Sequence, residues 1–372
     1  MRIGYDGAPL LNPLTGVGHY TLSLLESLLT IEPEAGFELL AVTMRADTSR
    51  IPESPKVKLR HYRFPARIAV TGWELLRFPS VDELLSKPDI FHGTNFWVPP
   101  LKKAKGIVTI HDLTFLMYPH LCTPQVQRYR WIVPRVLKRC ALVITPSETI
   151  RTQVNSELGF PSDRVVVTPE GLRGTFLGPS SEESQVDLLS TLGVSGDYIC
   201  FVGTQEPRKN LDRLIEAFAR LDTDLKLVIA GPAGWGSIDL PALAHKRGLD
   251  GRILFMGYQP DAVIRALVSN SRAFVFPTLY EGFGLPPLEA MAAGVPVVAS
   301  RAGAHPETLG DAPIWCDPLD IDSITEAIHI ATTNEQVRAE AIAKGAVHAA
   351  TYTWDRTATL TAAAYRSVLS GG

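Results

Sequence analysis

The chain lacks any C-x-x-C pair; its four cysteines, Cys122, Cys140, Cys200 and Cys316, are scattered through 372 residues. That spacing argues against a structural zinc site and against a disulfide framework, and four reduced thiols fit a cytoplasmic protein. No run of eighteen consecutive apolar residues occurs, which excludes a spanning helix and leaves attachment to a membrane surface open. The opening Met1-Arg2-Ile3-Gly4-Tyr5-Asp6-Gly7 reads as a strand and a turn, not as a secretory signal. Charge of one sign is scarce too. The formal net charge is −3, with 20% charged and 45% hydrophobic residues, so no nucleic-acid partner is expected. No short repeat or low-complexity tract is present.

What is there is length and alternation. A chain of 372 residues exceeds what one core comfortably serves, so two domains are expected. Short apolar, β-branched runs alternate with helical segments at 37–43, 89–91, 107–110, 142–145 and 165–168. Runs such as Leu142-Val143-Ile144 indicate burial on both faces, as in a parallel sheet covered by helices. The polar, turn-rich stretch Gly178-Pro179-Ser180-Ser181-Glu182-Glu183-Ser184 suits a junction. A second series follows at 198–203, 225–231, 252–257, 273–277 and 295–300. The fold class is therefore α/β, with doubly wound domains at 1–177 and 178–351 and the expected site in a cleft at the strands' carboxyl ends. Residues 353–369 are Ala-rich and helical with Trp354 as an anchor, so 352–372 are expected to pack back on the first domain. Residues 1–175 carry 21 Lys and Arg against 16 Asp and Glu, whereas 176–372 carry 15 against 23. The first half therefore faces something anionic, or the asymmetry arose by chance.

The stretch from Glu281 to Glu289 sets two carboxylates eight positions apart around a glycine-bracketed turn that enters a proline-started helix. Pro286 suits a first helical turn, so Gly282, Phe283, Gly284 and Leu285 would present backbone N–H groups to anions and hydroxyls. Glu281 and Glu289 would then accept from the hydroxyls of a sugar and a ribose; the plain alternative is an ordinary loop-to-helix junction. After the strand at 198–202 comes Gly203-Thr204-Gln205-Glu206-Pro207-Arg208-Lys209-Asn210, where two cations at a helix start oppose the helix dipole and so call for an anionic partner. A diphosphate fits, neutralised without a metal. No D-x-D stands in strand context. In the first half Gly16 and Gly18 open a helix, close enough for a ligand phosphate or simply for a tight turn. His92-Gly93-Thr94-Asn95 and His111-Asp112 both follow apolar strands, and a histidine there is either a structural hydrogen-bonder or a catalyst.

Together these residues resemble glycosyltransferase family 4, retaining enzymes of the GT-B fold, in which two Rossmann-like domains face each other across a cleft. The likeness covers nearly the whole chain. It implies E-x7-E glutamates at Glu281 and Glu289, phosphate-binding Arg208 and Lys209, an active-site histidine at His111 and a glycine loop at Gly16 and Gly18. Thr204 stands where the family often has an arginine, and Glu170 where an asparagine commonly precedes Gly171. The implied catalytic set is His111, Glu281, Lys209 and Arg208; Gly16, Gly18, Thr204, Gly282, Phe283, Gly284, Leu285 and Glu289 would bind the donor, and His92, Asn95 and Asp112 the acceptor. Gly-Val-Gly-His-Tyr, His-Gly-Thr-Asn, Ile-His-Asp-Leu-Thr and Glu-Pro-Arg-Lys-Asn look most like bacterial mannosyl- and rhamnosyltransferases that build surface polysaccharides such as lipopolysaccharide. The expected activity moves a hexose, with GDP-mannose the favoured nucleotide-sugar donor, to a glycan or lipid-linked glycan, with no cofactor and no metal. A UDP- or dTDP-sugar donor, a catalytically silent nucleotide-sugar-binding protein, and an epimerase or phosphorylase of the same fold are the alternatives. On the segment 128–139, Arg128, Trp131, Arg135 and Lys138 share one helical face, and Lys56, Lys58, Arg60, Arg63 and Arg67 lie near Phe64 and Trp73. Such basic faces suit peripheral contact with an anionic membrane, or a solvated surface.

Overall fold

The computed structural model describes residues 1–11, 14–44, 47–177 and 182–371. Among them the chain builds two parallel sheets. The first contains β1 (Arg2–Asp6), β2 (Gly36–Val42), β3 (Val57–Tyr62), β4 (Ile90–Gly93), β5 (Lys105–Thr109), β6 (Cys140–Thr145) and β7 (Val165–Val167), in the order β3-β2-β1-β4-β5-β6-β7. The second contains β8 (Tyr198–Val202), β9 (Lys226–Ala230), β10 (Ile253–Gly257), β11 (Ala273–Phe276), β12 (Val297–Ser300) and β13 (Ile314–Cys316), in the order β10-β9-β8-β11-β12-β13. Each sheet winds outward in one direction and then restarts beside its first strand. The reversals fall between β1 and β4 and between β8 and β11, and a crevice opens at such a reversal beyond the strands' carboxyl ends.

By contacts the chain separates into two units, Leu172–Tyr352 and the remainder, with residues from Thr353 onward belonging to the first. The junction expected at 178–184 lies in its first four residues outside the described residues. The contact boundary falls a little earlier than 177/178 because Leu172 and Phe176 already pack into the second core. Two strands were not expected. β3 alternates half-buried Val57, Leu59 and His61 with exposed Lys58, Arg60 and Tyr62, as an outermost strand does, and that alternation is masked by the stretch's basic composition. β13 has only three residues, too few to show a period.

The last helix, Trp354–Ser370, starts where Thr353 accepts a hydrogen bond from the Arg356 N–H. Its face of Trp354, Ala358, Ala362 and Tyr365 joins a core with Tyr20, Leu24 and Leu28 of the helix Gly16–Ile31. Tyr20 and Trp354 meet edge to face at 5.9 Å. Small alanines let the two helices approach while the aromatic rings supply the buried area, each worth roughly 2–3 kcal/mol when fully covered. The Gly171 backbone presses against Trp354, where a Cβ would stand 2.3 Å from the Trp354 nitrogen. All four cysteines are buried thiols outside any disulfide, and burial pushes the Cys140 and Cys200 thiols up to about 12.

Candidate functional site

In the second unit the strand order decides which residues meet. β8 and β11 are neighbours at the reversal, so the loops that follow them share one edge. The Leu279 N–H donates to the Arg208 carbonyl at 2.8 Å and ties the two loops together. Asn210 adopts φ 62°, a conformation Asn tolerates, and donates from its buried amide to the Pro277 and Pro318 carbonyls. On this frame Glu281 accepts from Lys209 Nζ through Oε1 and lies against Arg208 Nη1 through Oε2, both at 2.7 Å. Arg208 also pairs with Glu206 at 2.6 Å and donates to the Tyr280 carbonyl. The Lys209 ammonium sits 4.9 Å over the ring of Phe276. Burial alone would raise the Glu281 carboxyl, but Arg208, Lys209 and His305 outweigh it and hold it at about 2. Burial and the Arg208 charge pull Lys209 below the ordinary lysine range, against Glu281 and Glu206. A buried cluster of two cations and two carboxylates has its positive ends beside a strand's carboxyl end. Thr204 is half-buried in the loop that follows β8, and its carbonyl accepts from the Glu206 N–H.

The turn after Glu281 is shaped by what stands behind it. Gly284, at φ 101°, precedes the helix Leu285–Ala292, and a Cβ there would meet His305 at 2.8 Å. Gly303, at φ 56°, lets a second loop lie against the Glu281 backbone, where a Cβ would stand 2.3 Å from its oxygen and where the Ala304 N–H donates to the Glu281 carbonyl. Phe283 is buried, and neither Gly284 nor Leu285 donates a backbone hydrogen bond among the described residues. His305, which the sequence reading did not single out, is fully buried, with Nδ1 against the Ser300 carbonyl and Nε2 without a partner. Burial keeps it below the usual histidine range, against the charge of Glu281.

Glu289 departs from expectation. It is 1% exposed, and its two oxygens accept from Arg173 Nε and Nη2 at 2.5 and 2.6 Å. Arg173 Nη1 in turn reaches Asp261 at 2.7 Å. The carboxylate expected to grip a ribose is thus held bidentately by an arginine that the sequence reading missed, because the two stand 116 positions apart and Arg173 belongs to no local pattern. Burial outweighs the Arg173 charge and lifts Glu289 above the usual carboxylate range.

In the first unit His111 follows β5 and uses both ring nitrogens, Nε2 on the Thr94 carbonyl at 2.8 Å and Nδ1 on Glu170 at 3.3 Å. Donation from both requires the imidazolium. Burial opposes that charge, but the hydrogen bond and charge of Glu170, the Thr94 carbonyl and Asp112 raise His111 above its ordinary value. Glu170, where the resemblance expected asparagine, therefore has a partner. Tyr20 stands edge to face over the imidazole at 4.7 Å. Gly16 has open space where a Cβ would be; at Gly18 a Cβ would meet Leu14 at 2.9 Å, so this glycine serves packing. Asp112 accepts from the Thr114 N–H at 2.8 Å, and Asn95 Oδ1 is buried without a partner. His92 is a correction. It is 0% exposed, with Nδ1 on the Tyr365 hydroxyl at 2.7 Å and Nε2 on Thr109 Oγ1 at 2.8 Å, so no ring nitrogen is left for an acceptor. Burial keeps it neutral, with a pKa of about 3. It is a core hydrogen-bonder that ties β4 to the last helix.

The helix Tyr129–Leu137 contains Pro134 and buries Val133, Val136 and Leu137, while Trp131 is 63% exposed beneath the Arg130 guanidinium. Arg128, Arg135 and Lys138 are exposed with it. Of the second basic stretch, Phe64 is exposed but Trp73 is buried. Among the described residues no helix is long and apolar enough to cross a membrane.

Two Rossmann-like parallel-sheet domains in one chain are the GT-B architecture. Residues 14–173 match the pattern of "Glycosyltransferase Family 4" and residues 192–348 that of "Glycosyl transferases group 1". O-antigen chain mannosyltransferase B of Escherichia coli is 30% identical over 98% of this chain and 100% of that protein. The chain belongs to glycosyltransferase family 4. Among solved structures, sucrose-phosphate synthase (tll1590) from Thermosynechococcus elongatus superposes with a TM-score of 0.81 at 18% identity over the whole of both chains. Anabaena Alr3699/HepE, solved in complex with UDP and glucose, does so with 0.75 at 18% identity over 99% of this chain and 100% of that one. These likenesses carry the fold.

Proposed function

We propose that the protein is a retaining, metal-independent mannosyltransferase that moves mannose from GDP-mannose to a glycan or lipid-linked glycan during surface polysaccharide synthesis. The observation that carries it is the buried Arg208–Glu281–Lys209 cluster at the reversal of the second sheet. Two cations held in a site of low dielectric stabilise negative charge far better than they would in water, which is what a departing diphosphate needs. The acceptor oxygen bonds to the anomeric carbon on the face from which the diphosphate leaves; the carbon–phosphate-oxygen bond breaks, and the leaving oxygen takes the acceptor's proton. No enzyme nucleophile, cofactor or metal enters these steps. Glu281 orients the hexose, and the Gly284 and Leu285 N–H groups lie beside it as donors. Glu289 reaches the ribose only by sharing its carboxylate with Arg173. His111, held as the imidazolium, adds positive charge in the first domain. The mannose assignment is supported by the E. coli relative's name and its full-length coverage. The exposed basic face around Trp131 supports peripheral contact with the anionic inner face of a membrane, where each cation contributes about 1 kcal/mol.

The test is a thermal-shift panel of GDP-mannose, UDP-glucose and dTDP-rhamnose, since a ligand that binds only the folded state raises its stability. Transfer is then measured in excess EDTA. GDP-mannose is expected to give the largest shift, with turnover surviving chelation. A larger shift with a UDP- or dTDP-sugar overturns the donor, and activity restored by magnesium or manganese overturns the metal-free mechanism. Binding without donor consumption marks a silent sensor.

A further inference from the structure

Two hollows adjoin in the first domain. One, of 330 Å³, opens at the reversal of the first sheet, with Asp6 at the end of β1 and aromatic walls from Phe91, Trp97 and Tyr129. The other, of 820 Å³, is lined largely by apolar side chains, among them Phe64, Ile68, Leu76 and Phe78. They meet at Val42, Ala69 and Trp73, so the helix Ala66–Leu76 borders both. We infer that the pair of hollows binds an amphiphilic acceptor, a hexose in the smaller one and the hydrocarbon of its lipid carrier in the larger. This rests on the transferase reading above and names the acceptor class within it.

The chemistry of the linings carries the inference. A pyranose offers hydroxyls at its edge and C–H groups on its faces, so a carboxylate beside aromatic planes suits it, and 330 Å³ lies at the low end of the range for ligand pockets. Trp73 and Trp97 are already paired at 5.0 Å, which holds the wall. Asp6 accepts from the Ala8 N–H at 3.1 Å and makes no other hydrogen bond among the described residues. Burial raises its carboxyl to about 6 against the pull of that amide, a cost that sugar hydroxyls would relieve. Arg67 and Arg128 stand exposed at the rim of the smaller hollow, where the phosphate of a lipid carrier would lie. The larger hollow has a different character. Ile68 is 59% exposed, Leu76 74% and Phe78 61%, an apolar surface gathered on one side of a concave site. A soluble glycan has nothing to place there; an alkyl chain does.

The experiment measures binding of n-octyl α-mannoside, methyl α-mannoside and n-octanol to the full chain by tryptophan fluorescence, below the glycoside's micelle concentration, with GDP thermal shift run in parallel. Octyl mannoside should bind at least tenfold tighter than methyl mannoside. Ile68→Asp or Leu76→Asp should bring that ratio below about threefold, since a carboxylate lining the apolar hollow opposes the chain. Asp6→Asn should weaken both mannosides at least fivefold and leave octanol unaffected. The two exposed positions guard against loss of folding, which the GDP shift reads. Equal affinity for octyl and methyl mannoside overturns the inference. So does octanol binding as tightly as octyl mannoside, which would leave a bare lipid surface, and so does indifference of the mannosides to Asp6→Asn. Failure of either mannoside to bind while GDP still stabilises the chain rejects this acceptor and spares the donor reading. Binding as described without any GDP shift does the reverse.

Discussion

Arg173→Ala would leave a carboxylate stranded. Glu289 is 1% exposed and both its oxygens rest on that guanidinium, so removing the side chain deletes two charge-assisted hydrogen bonds and leaves only the backbone N–H of residue 173 to the carboxylate. Breaking a buried pair from one side costs about 3–5 kcal/mol. For a unit the size of Leu172–Tyr352, at about 2–4 °C per kcal/mol, the melting temperature should fall by roughly 6–20 °C. The loss depends on pH with a definite sign. Glu289 already sits above its ordinary value of 4.5, and without Arg173 it rises further, so the folded variant prefers the protonated acid. The penalty is full above the new folded pKa and shrinks as the pH falls through it. Arg173→Met with Glu289→Leu should recover most of the stability, because a packed apolar pair replaces the ionic one, while Asp261 is 36% exposed and stays hydrated. The assay is thermal unfolding of the two single variants and the double variant between roughly pH 4 and pH 8. A melting shift under about 2 °C for Arg173→Ala, a deficit flat across that range, or additive losses in the double variant would refute the reasoning.

Lys209→Ala should cost roughly 2–4 kcal/mol of barrier, read as a fall in kcat of about 30- to 1,000-fold, and a nearly unchanged rate removes Lys209 from the leaving-group site. Glu170→Gln should lower the His111 pKa; because that value is raised in the fold, the stability it contributes is full below 6.5 and lost as the pH rises through the folded value. Wild type and variant should therefore differ most on the acid side and converge at alkaline pH, and identical pH profiles would show that Glu170 does not hold the imidazolium. The protein should co-sediment with anionic but not neutral liposomes, and Arg135→Glu with Lys138→Glu should abolish this while sparing donor hydrolysis; equal recovery on both lipids favours a freely dissolved enzyme.

What the sequence showed and what it concealed differ by range. Glu281, Arg208 and Lys209 were legible because each stands in a short loop after an apolar strand, and parallel sheets present those loops at one edge. Their mutual pairing was not legible: which carboxylate meets which cation depends on β8 lying next to β11, a matter of strand order. Arg173 was invisible for the same reason, since no local period relates it to Glu289 or Asp261. His92 misled because a histidine at a strand end looks alike whether solvent or Tyr365, 273 positions later, covers it. The edge strand β3 hid because only half of its residues face the core, and two of the other three, Lys58 and Arg60, are charged.

The bond from His92 to Tyr365 has a bearing on the order of synthesis. The first domain begins at Met1 but its core is closed by Trp354, Ala358, Ala362 and Tyr365, which leave the ribosome after the entire second domain. The second domain is continuous in sequence and can fold as it emerges, whereas β1 and β4 must wait with one side uncovered. At about 5–20 residues per second, the roughly 180 intervening residues impose a delay on the order of ten seconds or more. During that interval the apolar surface awaiting the final helix is what a chaperone would hold, and nascent chains halted before residue 354 should be captured while the finished protein is released.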